Sequence, residues 1–209
     1  RLKYPDAEFV DAKGGVIMPA FINAHTHIYS ALARGLSIAG YNPTNFYEVL
    51  DGMWWKIDRS LTLEDTRRSA YTTIIDCIKT GCTTIFDHHA SFCQIEGSLF
   101  AIADAARALG IRACLCYEVS ERDGEKKCDE AIAENRSFID YCARERDPML
   151  SAMFGGHALF TIGDKTFEKC VKANGGRTGF HIHVCEGMND VYDSMKNYGC
   201  RFVGSVRCV

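Results

Sequence analysis

The sequence lacks the features that mark several common classes of protein. Its 209 residues carry a formal net charge of −3 and show no basic stripe, so we expect neither nucleic acid nor an anionic membrane as a partner. No apolar run approaches the length of a bilayer span, and no signal-peptide pattern opens the chain. With 47% hydrophobic residues, the composition predicts a soluble globular protein with a sizeable core.

Cysteine is abundant, yet its pattern lacks the signs of a disulfide framework or a zinc ribbon. The chain has 11 cysteines, an odd number, at irregular spacings and without a CxxC pair. Several lie inside apolar runs, where free cysteine behaves as a small hydrophobe. We therefore expect free thiols and a reducing, cytoplasmic location.

Strand patterns alternate with helix patterns along most of the chain. The predicted strands cover residues 16–24, 82–87, 111–119, 150–158 and 179–184. The predicted helices cover residues 63–80, 96–109, 125–146, 165–173 and 189–198. Thr62 with Asp65 resembles a capping box, and Gly81 is a stop signal for the first of these helices. This alternation predicts an α/β fold built from parallel βα units.

The candidate chemical residues all lie at the C-terminal ends of predicted strands, as in a (β/α)8 barrel of the TIM type. An open doubly wound sheet is the main alternative, but no Gly-rich phosphate loop follows any strand. A full barrel takes eight units and about 250 residues. Only about five units are visible, and residues 200–209 show no sixth strand. We therefore expect residues 16–209 to form an incomplete barrel and the chain to be a fragment. Because its first residue is Arg1 rather than Met, we also expect that the chain does not begin at a natural start.

Two histidines, His25 and His27, end the first predicted strand. Alternation along a strand places residues i and i+2 on the same face. We therefore expect both imidazoles to converge on one metal ion. The alternative is a pair of polar residues that are solvated or cap the following turn.

A second cluster lies on the fifth predicted strand and the loop that follows it. His181 and His183 share one face of that strand, and His183, nearer its C-terminal end, is the better ligand candidate. Glu186 must lie on the following loop, where it can turn back over the metal, take a proton from bound water and return it to a leaving nitrogen. The alternative is a core histidine pair and a surface carboxylate.

Three further histidines end strands. His157, at the end of the fourth strand, can hydrogen-bond substrate or polarise a carbonyl, or can be a structural histidine. His88 and His89 follow the second strand, and because adjacent residues point in opposite directions at most one of them faces a pocket.

Two other groups of residues allow a functional and a structural interpretation. Tyr117, Glu118 and Arg122 can line the mouth of the barrel, although a carboxylate at a rim is more often solvated or salt-bridged. Trp54 and Trp55 lie in the long connection after the first strand, where insertions form lids or substrate walls. Simple helix packing is the other explanation for the tryptophan pair.

These motifs resemble the amidohydrolase superfamily. The resemblance spans about residues 4 to 200 and is carried by residues 16–27 (VIMPAFINAHTH), 155–158 (GGHA) and 181–186 (HIHVCE). Within the chlorohydrolase and guanine-deaminase branch, residues 28–58 and 87–91 are most similar to SsnA-type aminohydrolases.

In that family a metal-bound hydroxide attacks an sp2 carbon and displaces ammonia. The resemblance implies that His25, His27 and His183 bind one divalent metal, zinc on family grounds, since the ligands alone suit several metals. It implies that Glu186 is the catalytic proton shuttle and that His157 contacts the substrate, a small molecule such as a heterocycle. The resemblance also allows the full-length protein to be a homo-oligomer.

The chain departs from the family pattern in three places. The family usually has Gly where this chain has Ala20, a change that we expect the turn to tolerate. It also uses a histidine from strand six and an aspartate from strand eight, and neither has a counterpart here. The flanking β-sandwich of the family would be reduced to residues 1–15. We therefore expect the chain to be inactive by itself.

Two other functions remain open from the sequence. A lactonase or phosphotriesterase on a similar barrel would commonly use a carboxylated lysine at a strand end, and no lysine ends a strand here. A degenerate metal-binding protein that ends at Val209 would leave an unclosed parallel sheet with an exposed edge.

Overall fold

The computed structural model describes residues 3–199 and contains two parallel sheets. The first sheet has the order β1-β2-β3-β4, and the second pairs β5 with β6. The strands are β1 (Phe21–Thr26), β2 (Cys82–His89), β3 (Arg112–Tyr117), β4 (Leu150–Ala152), β5 (Phe154–Gly155) and β6 (Phe180–His181). Strands adjacent in sequence are therefore adjacent in space, as in successive units of a barrel.

Helices connect the strands and follow the sequence prediction closely. The long helices are α3 (Leu63–Lys79), α4 (Ser98–Leu109), α5 (Glu125–Glu145), α6 (Asp164–Asn174) and α7 (Met188–Tyr198). Between β1 and α3 lie a 3₁₀ turn (Ile28–Ala33), α1 (Phe46–Val49), a π-helical turn (Leu50–Trp54) and α2 (Trp55–Asp58). The partial barrel predicted from the sequence is confirmed in its strand order and its parallel pairing.

The capping box predicted at the start of α3 is present. The Asp65 backbone N–H donates to Thr62 Oγ1 at 3.2 Å, and the Thr62 backbone N–H donates to Asp65 Oδ2 at 3.0 Å. Two amide groups that the first helical turn leaves without partners are thereby satisfied. Gly81 follows the helix with a φ of 85°, a conformation that favours glycine.

The strand predicted over residues 150–158 is divided into β4 and β5. The Met153 backbone N–H still donates to Leu115 O in β3, but the Phe154 backbone N–H donates to Gly179 O beside β6. Where the chain passes from pairing with β3 to pairing with β6, Gly155 lies against the Tyr117 carbonyl, and a Cβ atom there would collide with main-chain atoms. The single strand was a wrong prediction because its two halves pair with different neighbours.

The first and fifth predicted strands are also shorter than expected. β1 begins at Phe21 rather than at residue 16, and Val16 and Ile17 are 89% and 86% exposed, so a buried strand from residue 16 was wrong. β1 is an edge of its sheet in the described part of the chain, and nothing there covers these residues. β6 covers only Phe180–His181, and β5 is its one partner in the described part of the chain.

The core lies between the sheet and helices α3, α4 and α5. Ile74, Ile85, Ile102, Leu115 and Phe138 are fully buried there. Burying each such side chain contributes about 1.5–3 kcal/mol. This packing fixes β2 and β3, whose C-terminal ends carry part of the candidate site.

The N-terminal residues 3–15 contain no helix or strand and are exposed, so their assignment to a β-sandwich segment stays a prediction. Residues 200–209, in which we expect no sixth strand, lie outside the described residues. Within residues 3–199, no helix is long and apolar enough to cross a membrane.

Candidate metal centre and active site

Three histidines from the ends of β1 and β6 point their Nε2 atoms at one another. His25 Nε2 lies 3.2 Å from His27 Nε2, which lies 3.3 Å from His183 Nε2. One ring nitrogen from each of the three histidines lies within 4.8 Å of the corresponding nitrogens of the other two. A tetrahedral zinc ion with bonds of 2.0–2.1 Å has ligands about 3.3–3.4 Å apart. The spacing therefore fits a small divalent metal.

The other ring nitrogen of each histidine is held by a hydrogen bond. His27 Nδ1 donates to the His88 carbonyl at 2.8 Å, and His183 Nδ1 donates to the His157 carbonyl at 3.1 Å. His25 Nδ1 lies 2.8 Å from His181 Nε2. With Nδ1 protonated, His27 and His183 present unprotonated Nε2 atoms to the centre. Metal-binding histidines are commonly fixed in this way.

Burial disfavours the protonated form of His25, His181 and His183. Burial, followed by the charges of neighbouring histidines, lowers the pKa of His181 to about 4. Burial also lowers the pKa of His183 to about 3, against the opposing charge of Glu118. The pKa of His25 is lowered by burial and then by His27. Neutral imidazole is the form that binds a metal, so the site favours ligation at neutral pH.

Only one member of the His88–His89 pair faces the cluster, as predicted. The His88 ring centroid lies 4.4 Å from that of His183, and His88 Nε2 donates to the Gly156 carbonyl at 2.8 Å. His89 turns away and bonds Ser91 Oγ at 2.9 Å. The backbone of His88 also holds His27, so this residue supports the centre from two sides.

A cavity of about 220 Å³ opens beside His27 and His183. Trp54 and Trp55 both line it, so the tryptophan pair forms a wall of the site and does more than pack helices. The remaining lining residues are Tyr29, Ser30, Phe46, Leu50, Glu118, His157 and Glu186. Most of this lining is aromatic or apolar, which suits a planar organic molecule.

His157 lies on the cavity wall, where the sequence places a substrate-contacting residue. It is 3% exposed, and its ring centroid lies 6.2 Å from that of Trp55 and 5.5 Å from that of His183. Its Nδ1 is 2.7 Å from Thr161 Oγ1, which itself donates to the Ala158 carbonyl. Nδ1 is therefore the donor in that bond and Nε2 carries no proton, because burial lowers the pKa of His157.

Glu186 stands at the mouth of the same cavity, on the loop between β6 and α7 as predicted. Loss of solvent, then the charges of Asp190 and Glu118, raises the pKa of Glu186 to about 7. A carboxyl group with a pKa near 7 can exchange protons in both directions at neutral pH. The structure brings Glu186 to the site with His27, His157 and His183.

A buried ion cluster behind the cavity joins Glu118 and Arg122, which the sequence places at the mouth of the barrel, to Asp58, which the sequence prediction did not single out. Arg122 Nη2 contacts Asp58 Oδ2 at 2.5 Å and Glu118 Oε1 at 3.2 Å, with all three side chains at most 5% exposed. Burial alone would raise the pKa of Glu118, but positive charge around the carboxylate, with the Arg122 guanidinium in direct contact, outweighs burial and lowers that pKa. Glu118 is therefore an ionised group in the cavity wall. Its position directly after β3 was the available signal.

Comparison with known proteins gives one consistent family. A profile described as "Amidohydrolase family" matches residues 16–202. A 5'-deoxyadenosine deaminase of Methanobrevibacter smithii is 31% identical over 196 residues, 92% of this chain. A 5-methylthioadenosine/S-adenosylhomocysteine deaminase of Syntrophomonas wolfei is 30% identical over 201 residues, 94% of this chain.

Solved structures show the same fold. An adenosine deaminase from Xanthomonas campestris with bound zinc superposes with a TM-score of 0.73 at 23% identity, covering 88% of this chain and 40% of that one. A guanine deaminase of E. coli gives 0.67 at 15% identity, covering 87% of this chain and 41% of that one. The chain likewise spans 42% and 44% of the two curated relatives, less than half of their length.

Proposed function

Because this chain belongs to the amidohydrolase family, we propose that it carries the metal-binding part of a metal-dependent hydrolase that deaminates a small molecule. The observation that carries the proposal is the convergence of the His25, His27 and His183 Nε2 atoms at a spacing that fits one divalent ion. Zinc is the proposed metal, since three imidazole nitrogens at this spacing suit it and the adenosine deaminase from Xanthomonas campestris with the same fold holds bound zinc. The proposed setting is the cytoplasm.

A bound divalent ion supplies the activation of water, lowering its pKa to about 7. The protein residues then have separate tasks. Glu186, with its pKa raised to about 7, holds and transfers a proton at its carboxylate between water and the leaving nitrogen. His157 Nε2 carries no proton and accepts a hydrogen bond from the substrate at the cavity wall. Trp54 and Trp55 exclude water and orient a planar ring.

The proposed substrate is a heteroaromatic amine of the adenosine type. Two relatives at 30–31% identity carry the names 5'-deoxyadenosine deaminase and 5-methylthioadenosine/S-adenosylhomocysteine deaminase. The aromatic wall formed by Tyr29, Phe46, Trp54 and Trp55 supports a flat ring next to the histidines. Loss of an exocyclic amino group as ammonia is the reaction that this arrangement supports best.

The first experiment measures the metal content of the purified protein and its release of ammonia from adenosine derivatives. It should use the complete gene product, with the DNA sequenced beyond codon 209, and the 209-residue chain beside it. We expect about one zinc per chain, activity only in the complete product, and loss of activity without loss of metal in E186Q. A complete product that binds no divalent metal at His25, His27 and His183 would refute the proposal.

A further inference from the structure

We propose that His181 is a positioning residue for the metal centre: its Nε2 accepts a hydrogen bond from His25 Nδ1 and thereby holds His25 Nε2 toward the ion. The inference rests on the proposed function, because it presupposes that His25 is a metal ligand. The inference goes beyond the proposed function by assigning a role to His181, which is not one of the three proposed ligands.

The hydrogen-bond partner of His25 is a side chain, whereas the partners of His27 and His183 are main-chain carbonyl groups. His27 and His183 each donate Nδ1–H to a main-chain carbonyl, which any side chain at those positions would leave in place. His25 has the His181 ring instead, with Nδ1 and Nε2 2.8 Å apart and the ring planes inclined by 67°. The orientation of one ligand therefore depends on a single replaceable side chain.

The bond also decides which nitrogen of His25 carries the proton. Its Nε2 faces His27 Nε2 at 3.2 Å and must be unprotonated to bind a metal. A neutral His25 then carries its proton on Nδ1 and donates to His181 Nε2. His181 must in turn carry its own proton on Nδ1. The two rings thus form a chain of fixed tautomers that ends at the metal position.

Within the described residues, the surrounding protein supports His25 less than it supports His183. His25 lies on β1, an edge strand of its sheet there, and its side chain is exposed, whereas His183 is 9% exposed. A ring on an exposed edge is free to rotate unless a hydrogen bond holds it. Without His181, binding a metal would have to offset the entropy lost on fixing that ring.

The geometry distinguishes a positioning role from a fourth ligand. His181 Nε2 contacts the Nδ1 atom of His25, whereas the centre of the three converging nitrogens lies on the Nε2 side. The three-residue group whose nitrogens all lie within 4.8 Å contains His25, His27 and His183 and omits His181. His181 therefore acts through His25.

The test is a Co²⁺ titration of the metal-free complete gene product, followed by its visible absorption, for wild type, H181L, H181Q and the control I182A. Ile182 is adjacent in sequence, is 38% exposed and lies outside the histidine cluster. We expect H181L to weaken Co²⁺ binding about 10–100-fold, as other losses of such partners do. H181Q should stay within about threefold of wild type, because the amide oxygen can accept the same bond. I182A should be unchanged.

Each outcome separates the inference from the proposed function. Equal affinity of H181L and wild type would overturn the inference alone. Equal losses in H181L and H181Q with a changed Co²⁺ spectrum would make His181 a ligand and overturn it too. Absence of binding in wild type would instead refute the proposed function. If H181L fails to fold, ¹⁵N NMR of metal-free wild type decides: His25 protonated on Nδ1 supports the inference, and protonation on Nε2 overturns it.

Discussion

The Asp190 carboxylate accepts the backbone N–H of Glu186 at 3.1 Å, and the same Oδ2 atom accepts that of Gly187 at 3.2 Å. Asp190 is 1% exposed and lies in the first turn of α7, so the helix and the loop that carries Glu186 are joined at this carboxylate. The proposed proton shuttle is therefore held through its main chain, while its side chain stays free to reach the cavity.

Asp190→Asn should lower the pKa of Glu186 from its value of about 7. The Asp190 charge is the second cause of that raised pKa, after loss of solvent, and a neutral amide removes it. Because ionised Glu186 takes the proton, the acidic limb of the pH–rate profile should move to lower pH. The measurement is that profile for the complete gene product, with ¹³C NMR of the Glu186 carboxyl. Asp193→Asn, on the same helix, is the control, and an unmoved limb in D190N would contradict the role of Asp190.

Arg122→Met should destabilise the fold strongly. The substitution keeps much of the side-chain volume but leaves Asp58 and Glu118 buried without their cation. Breaking a buried ion pair from one side costs about 3–5 kcal/mol. The same replacement at Arg136, which is 68% exposed and 3.9 Å from Asp140, should change stability by less than about 0.5 kcal/mol. Urea unfolding of both variants measures the difference, and similar midpoints would rule out a structural role for the cluster.

The convergence of His25, His27 and His183 was predictable because these residues follow local rules. Period-two alternation and the position at a strand end are readable at His25 and His27 and again at His183, and the structure brings their Nε2 atoms together. Glu186 was placed correctly for the same reason, since the strand must end before it. Their roles as ligands and shuttle stay predictions until metal binding is measured.

The parts that sequence reasoning missed depend on distant partners. Arg122 and Asp58 are 64 positions apart, and no local pattern links them. The contact of His181 with His25 spans 156 positions, although strand alternation did place His181 on the face of His183. The exposure of Val16 and Ile17 was missed because an apolar run indicates a buried strand only if something covers it.

Replacing His89 should reduce the amount of stability that the protein loses as the pH falls. Burial lowers the pKa of His89 to about 3, compared with an ordinary value of 6.5. Between these values the unfolded chain binds a proton that the folded chain does not, so stability is lost as pH falls from about 6.5 toward 3. His89→Gln removes this proton while keeping a partner for Ser91 Oγ.

The comparison is urea unfolding of metal-free wild type and H89Q from pH 7 to pH 4. The free-energy difference between the two proteins should change steadily in favour of H89Q as the pH falls. Asp87, whose pKa burial raises to about 8, contributes in the opposite direction but equally in both proteins, so it cancels. A difference that is constant with pH would show that His89 has the same pKa in the folded and unfolded protein, and would contradict this prediction.

Gly155→Ala should prevent the chain from passing from β4, which pairs with β3, to β5, which pairs with β6. Gly155 lies against the Tyr117 carbonyl, and its backbone N–H donates to Asn135 Oδ1 at 3.0 Å, so the added methyl group meets fixed main-chain atoms rather than a flexible side chain. We expect the free energy of unfolding to fall by about 3 kcal/mol or more, at the upper end of the effects of overpacking a core. At Gly179 the same methyl group would meet Met153 Cε at 3.4 Å, an ordinary contact, so Gly179→Ala is the matched control.

Thermal unfolding and Co²⁺ binding together show what the G155A change disturbs. β5 is followed directly by Gly156, whose carbonyl accepts from His88, and by His157, whose carbonyl accepts from His183. Displacing β5 should therefore weaken metal binding as well as stability, although Gly155 contacts none of the three ligands' Nε2 atoms. A variant that loses stability but binds Co²⁺ like wild type would show that the centre is held by β1 and β6 without β5.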